Sequence, residues 1–119
     1  ELFDYVQTTY DAALSMAHMQ NPVCFIGHSH VPVTFLQREV ISYTLEPEVH
    51  VGDADRAIVN VGSVGQPRDR DPRACCVIYD TETQTVRRVR FRYDIDAVVV
   101  KFQRAGLPLA LGERLRVGR

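Results

Sequence analysis

Two short apolar runs, each closed by a glycine, constrain the fold of this chain more than any other feature. Val23-Cys24-Phe25-Ile26 runs into Gly27, and Ala57-Ile58-Val59-Asn60-Val61 runs into Gly62. Runs this short and this rich in β-forming residues read as buried strands that end in loops. Val33–Leu36 and Glu39–Tyr43 are expected to be further strands. Ala74–Tyr79 and Thr85–Tyr93 are expected to form a hairpin around Asp80–Gln84. Ahead of the strands, Tyr5, Val6, Thr9, Ala13, Leu14 and Ala17 recur at helical spacing. A helix from Phe3 to Met19 is predicted, stopped by Asn21-Pro22. Behind them, Asp94 or Asp96 is expected to cap a helix over Ala97–Arg104, with Gly106 at its end, and Leu109–Leu115 to form a last helix. The order is helix, strands, helices. It predicts an α/β fold in which helices cover a sheet.

The 119 residues allow one small domain, and 45% apolar with 24% charged residues is a globular balance. Fourteen basic against fifteen acidic residues leave a net charge of -1, which gives no general pull toward nucleic acid or anionic lipid. No apolar run reaches the roughly 20 residues that span a bilayer, so no membrane partner is expected. The start, Glu1-Leu2-Phe3-Asp4, has no leader-like pattern and no initiator Met. It is expected to be either a processed end or an internal point of a longer protein. Cys24, Cys75 and Cys76 make neither a disulfide framework nor a CxxC pair. Buried free thiols and a cytoplasmic location are expected.

Chemistry concentrates in Gly27-His28-Ser29-His30. The pair of histidines follows a buried strand, at the strand end where α/β sheets place ligands. On a tight turn, side chains two residues apart can diverge toward two metal ions. Neutral imidazole suits zinc, iron, nickel or manganese. The competing reading has one ring packed and the other solvated. A second candidate is the loop from Asn60 to Arg68. Gly62 and Gly65 are expected at positive φ there, Asn60 and Ser63 can bond loop amides, and Arg68 could grip a phosphate. Taken alone, that segment reads as an ordinary structured loop. Arg88, Arg90 and Arg92 share one strand face; a solvated edge strand is favoured over a nucleic-acid surface. His18, late in the first helix, and His50 are expected to be solvated.

Together the two segments resemble the signature of the calcineurin-like metallophosphoesterases, in particular their small bacterial phosphodiesterase-like members. Gly27-His28-Ser29-His30 matches that family's Gly-His-x-His. Asn60 to Arg68 matches its Asn-x-Gly-Ser-x-Gly-x-Pro-Arg, with Val61 where many members have Pro. The strand from Ala74 to Asp80 fits the pattern that follows. The resemblance implies that residues 1–119 are the C-terminal half of a four-layer α/β/β/α sandwich. It implies two divalent metal ions (Mn, Fe, Zn or Ni), with His28 ligating the second and His30 the first. Asn60, Ser63 and Arg68 would serve as loop support or on the substrate side. The family's Asp-x-His, Gly-Asp and Gly-Asn-His-Asp motifs do not occur here, and Gly52-Asp53 falls after the histidines, in the wrong order. The expected partners are therefore the N-terminal half of the same domain and a phosphorylated small-molecule or nucleotide substrate. Isolated, this half is expected to be inactive and to self-associate through uncovered apolar faces, so a homo-oligomer stays open. The implied activity is metal-dependent hydrolysis of phosphomonoesters or phosphodiesters. The alternatives are a non-catalytic module of the same fold and a basic nucleic-acid-binding domain.

Overall fold

The structure, a computed structural model, describes residues 5–119. Helix α1 (Thr9–Met16) is followed by strands β1 (Val23–Ile26), β2 (Val33–Gln37), β3 (Ile41–Thr44), β4 (Glu48–His50), β5 (Arg56–Asn60), β6 (Ala74–Asp80) and β7 (Thr85–Phe91). Helices α2 (Ile95–Arg104) and α3 (Leu109–Val117) close the chain. One sheet has the order β1-β5-β2-β3 and the other β4-β7-β6.

The alternation of side chains explains why the sheets stack. Leu36, Ala57 and Val59 point from the first sheet toward Val86 of the second, and Val23, Val49, Val77 and Tyr79 pack around them. The opposite face of the first sheet carries Phe35 and Ile58, which Ala12 and Met16 of α1 cover. Thus α1, the four-stranded sheet and the three-stranded sheet form successive layers. Each of these clusters removes its apolar side chains from water, the dominant favourable term in folding. The pair α2–α3 packs together with Val99 against Gly112, where a Cβ would come within 3.0 Å of the valine. It ties back to the body where Arg70 N–H donates to Gly118 O at 2.9 Å.

The first helix is shorter than the spacing predicts. Phe3 and Asp4 lie outside the described residues, and residues 5–8 are not helical. The reason is a capping box. The Thr8 hydroxyl accepts from Asp11 N–H, and the Asp11 carboxylate accepts from Thr8 N–H, which fixes the start at Thr9. The helix ends at Met16, so His18 sits in the following turn and not in the helix. β1 is an edge strand, and Phe25 is 44% exposed, so the expectation of full burial holds for central β5 and fails for β1. Strand β4 was not expected; three residues are too few to show a period. The basic strand is not an edge. β7 lies between β4 and β6, and Arg88 and Arg90 share the inward face with Val86. Of the two glycines expected at positive φ, only Gly62 is (φ 75), and a Cβ there would press on Cys75 at 2.9 Å. All three cysteines are free thiols.

Candidate functional site

Parallel strands end on the same side of a sheet. β1 pairs with β5 in parallel, with Ile26 opposite Asn60, so the segments leaving both strands emerge side by side. Val61 N–H donates to Ile26 O at 2.9 Å, extending the pairing by one step. The chain then turns within Gly27–His30. His28 (φ 68) and His30 (φ 62) both adopt the left-handed conformation, which costs a residue with a Cβ about 1 kcal/mol or more. Glycine would take this geometry without penalty, so the imidazoles are presented at the expense of backbone energy.

Asn60 holds the turn in place. It is 1% exposed, and its Nδ2 donates to Gly27 O at 2.9 Å and to Ser29 Oγ at 2.8 Å. Its Oδ1 accepts from Gly62 N–H at 3.0 Å, so one buried amide ties the histidine turn to the start of the next loop. Ser29, between the histidines, is buried and accepts that bond. The two rings are fixed differently. His30 Nδ1 lies 2.8 Å from Gln66 O. A carbonyl only accepts, so Nδ1 carries the proton and the neutral ring presents Nε2 as its lone pair. His28, exposed at the surface, stacks on Tyr5 with ring centroids 4.0 Å apart and planes 15° from parallel.

The loop after β5 is built around its own polar groups. Ser63 Oγ accepts from Gln66 N–H at 2.9 Å and from Gly65 N–H at 3.3 Å. Its carbonyl accepts from Cys75 N–H at 2.9 Å, joining the loop to β6. Arg68 donates its backbone N–H to His30 O at 3.3 Å and its guanidinium to Gln66 Oε1 at 2.7 Å. Gln66 is thereby held at both ends, and its carbonyl in turn orients His30. Of the residues singled out in the sequence, the structure brings Asn60 against the turn that carries His28 and His30. Ser63 and Arg68 join it through the loop; Ser63 makes no bond to the histidine turn itself. Gln66 acts through its backbone carbonyl, which leaves no side-chain signal in the sequence, and Tyr5 stands at a helical spacing that the capping box at Thr8 cuts off.

A second polar group lies at the same end of the sandwich. Arg90 pairs with Asp69, Arg73 grips Asp71 at 2.6 Å, and Arg88 donates to Leu45 O. Chiefly because Arg73 donates to its carboxylate, Asp71 is pulled down from an ordinary value of 3.8 to about 2, against the opposing effect of burial. Burial pushes the Cys75 thiol up. The arginines and aspartates of this group line a cavity of about 620 Å³ together with Val31, Pro32 and Pro47. Among the described residues, no three His, Cys, Asp or Glu side chains converge on one point that could hold a metal. No described helix is long and apolar enough to cross a membrane.

The fold matches the crystal structure of a metallophosphoesterase from Sphaerobacter thermophilus, with a TM-score of 0.89 and 34% identity. The match covers 98% of this chain and 51% of that one. An uncharacterized protein of Methanocaldococcus jannaschii is 38% identical over 96 residues, which make up 80% of this chain and 39% of that protein. The chain thus spans about half of the first relative, or less of the second. No protein-family model matches it. The mixed α/β architecture matches that of the metallophosphoesterase, and the likeness supports the general phosphoesterase family.

Proposed function

We propose that this chain is the C-terminal part of a metal-dependent phosphoesterase and supplies one imidazole to each of two divalent ions. The observation that carries the reading is the Gly27–His30 turn. Two histidines are held in left-handed conformations at the C-terminal end of β1, braced by a fully bonded Asn60. Such strain persists only where surrounding bonds over-determine it, and it clusters at working sites. The donor chemistry fits. His30 is locked in the tautomer that leaves Nε2 available, and His28 is open to solvent. The set is a partial one, because each catalytic metal takes about three protein ligands and keeps an open position.

His28 and His30 would hold the ions, which when bound would supply Lewis-acid stabilisation of charge growing on a phosphoryl group. This chain's own part is to fix two imidazoles on one turn, to orient His30 through Gln66 O with Nε2 outward, and to hold the neighbouring loop through Asn60 and Ser63. Arg68, beside His30, is the cation available on the substrate side. The remaining ligands would come from the other half of a longer domain. Phe25 on the open edge of β1, with Tyr10 and Leu14 on α1, offers the apolar surface for that half. The substrate class is a phosphorylated small molecule or nucleotide. The nucleic-acid reading loses its basis, since Arg88 and Arg90 face inward onto protein partners, and of the expected basic face only Arg92, beyond β7, is exposed.

The test is hydrolysis of bis-p-nitrophenyl phosphate with manganese or nickel. A protein that carries this chain together with a complementary N-terminal half should turn it over, His30→Ala should abolish turnover, and the isolated 119 residues should be inactive. Turnover unaffected by His28→Ala and His30→Ala would overturn the proposal. A longer protein that binds no divalent metal would instead favour a non-catalytic module of this fold.

A further inference from the structure

Resting on that metal-site reading, we infer that Tyr5 is a positioning residue for His28, holding its imidazole by ring stacking where a hydrogen bond holds His30. The sequence around Tyr5 is built to aim it. Val6 packs into the cluster under α1, which anchors the segment from below. Gln7 N–H and Thr8 N–H both donate to Asp11 Oδ2, at 3.1 and 2.9 Å, so the segment is tied to the first turn of the helix. Hydrogen bonds from Thr8 and from the Gln7 and Thr8 amides keep the Asp11 carboxyl below its ordinary range, so the bracket stays charged. With residues 6–8 pinned in this way, the Tyr5 ring lies 4.0 Å from the His28 ring and within 15° of parallel.

His28 needs such support more than His30 does. It sits at φ 68 on the exposed side of the turn, where an imidazole would otherwise sample several rotamers. Each rotamer excluded before a metal arrives is ordering that binding no longer has to supply. A stacked ring restricts rotation about χ1 and χ2 and leaves both ring nitrogens at the edge free to bind. A hydrogen bond such as that from His30 Nδ1 to Gln66 O occupies one of them. The two imidazoles are therefore oriented by different means, and a change at Tyr5 should reach only one.

The experiment is an NMR titration with Zn²⁺ of a protein that carries this chain together with a complementary N-terminal half, following the ring protons of His28 and His30, with the exposed His18 as a surface reference. In the unsubstituted protein the His28 ring protons should lie upfield, shifted by the Tyr5 ring. Tyr5→Ala should abolish that shift and weaken the zinc response of His28 about tenfold, the low end of what loss of an outer-shell partner costs. His30 should respond as before, and Tyr5→Phe, which keeps the ring and loses the hydroxyl, should restore both signals. An unchanged zinc response of His28 in Tyr5→Ala would overturn the inference and leave the metal site standing. So would an equal weakening at both histidines, which would mean general loosening. If the upfield shift is present but neither histidine responds to zinc more than His18, the metal-site reading itself fails and the inference with it.

Discussion

Two polar assemblies sit at the same end of the sandwich, one neutral and closed, the other charged and half open. Around Asn60 the bonds go to Gly27 O, Ser29 Oγ and Gly62 N–H, and the residue is 1% exposed. Around Arg90 the side chains keep part of their water, with Arg90 12%, Asp69 19%, Asp71 27% and Arg73 50% exposed. One oxygen of Asp69 is left without a partner. The difference follows from solvation. An amide can be withdrawn from water completely if every donor and acceptor is met, whereas charges pay a far larger desolvation cost and keep residual solvent. A closed neutral hub can therefore dictate a strained backbone. A wet ionic cluster can tolerate rearrangement, and it joins β7 to the loop without fixing the site.

The largest expected effect comes from breaking the closed hub. Asn60→Ala leaves a buried hydroxyl, a buried amide and a part-buried carbonyl without their partner, at about 3 kcal/mol in total. Urea unfolding should register this as a lower midpoint with an unchanged slope. Asn60→Asp keeps the acceptor for Gly62 N–H but sets a buried carboxylate against Gly27 O, so near neutral pH it should cost at least as much as Asn60→Ala. A loss under about 1 kcal/mol for Asn60→Ala would mean that water replaces the amide and the hub is not closed. Next comes Arg90→Ala, which leaves Asp69 charged and mostly buried. With residual solvent available, about 2 kcal/mol is expected, less than the full cost of orphaning a dry ion pair. Arg90→Lys should recover only part of it, because a point charge cannot serve both Asp69 and Arg73 O as the guanidinium does. If Arg90→Ala proved costlier than Asn60→Ala, the ranking of closed over open assemblies would be reversed.

The same contrast explains what could be read from the sequence. Strand β5 and the histidine turn were legible because their signals are local: an apolar run, a glycine, then paired ligands. The role of Asn60 was half legible, since an Asn before Gly-Ser invites loop bonding, but its reach to Gly27 O depends on the parallel pairing of β1 with β5. The start of α1 was written as Thr8-x-x-Asp11 and was outweighed by an apolar periodicity that extends upstream of it. Releasing residues 5–8 from the helix is what brings Tyr5 to His28. The arginines of β7 looked solvated because period-two reading assigns a face without saying which side it looks to. The stacking of the two sheets, which puts Val86 in the core, turns Arg88 and Arg90 inward. Non-local pairing, not composition, separates the legible features from the rest.

The smallest effect comes from the charged side, through pH. Asp71 has its pKa pulled to about 2 from an ordinary value of 3.8, chiefly by the hydrogen bond from the Arg73 side chain. Arg73 N–H and the charge of Arg90 add to this against the cost of burial. A carboxyl that is more acidic in the folded state stabilises the fold when ionised. Its contribution is complete above the unfolded value and disappears as pH falls through the folded one. The window therefore runs from about pH 4 down to about pH 2. Arg73 is half exposed, so screening by water should limit the gain to about 1 kcal/mol. Comparing the native chain with Asp71→Asn by urea unfolding, the native protein should be the more stable at about pH 5 and lose most of that margin by about pH 2.5. Added salt at about pH 5 should shrink the same margin, since the pair stands partly in solvent. The cost of Asn60→Ala, by contrast, should not change with pH or salt, because no charge is involved. A margin for Asp71 that is flat across the window would show that its hydrogen-bonding geometry matters and its charge does not. The ionic cluster would then behave like the neutral hub after all.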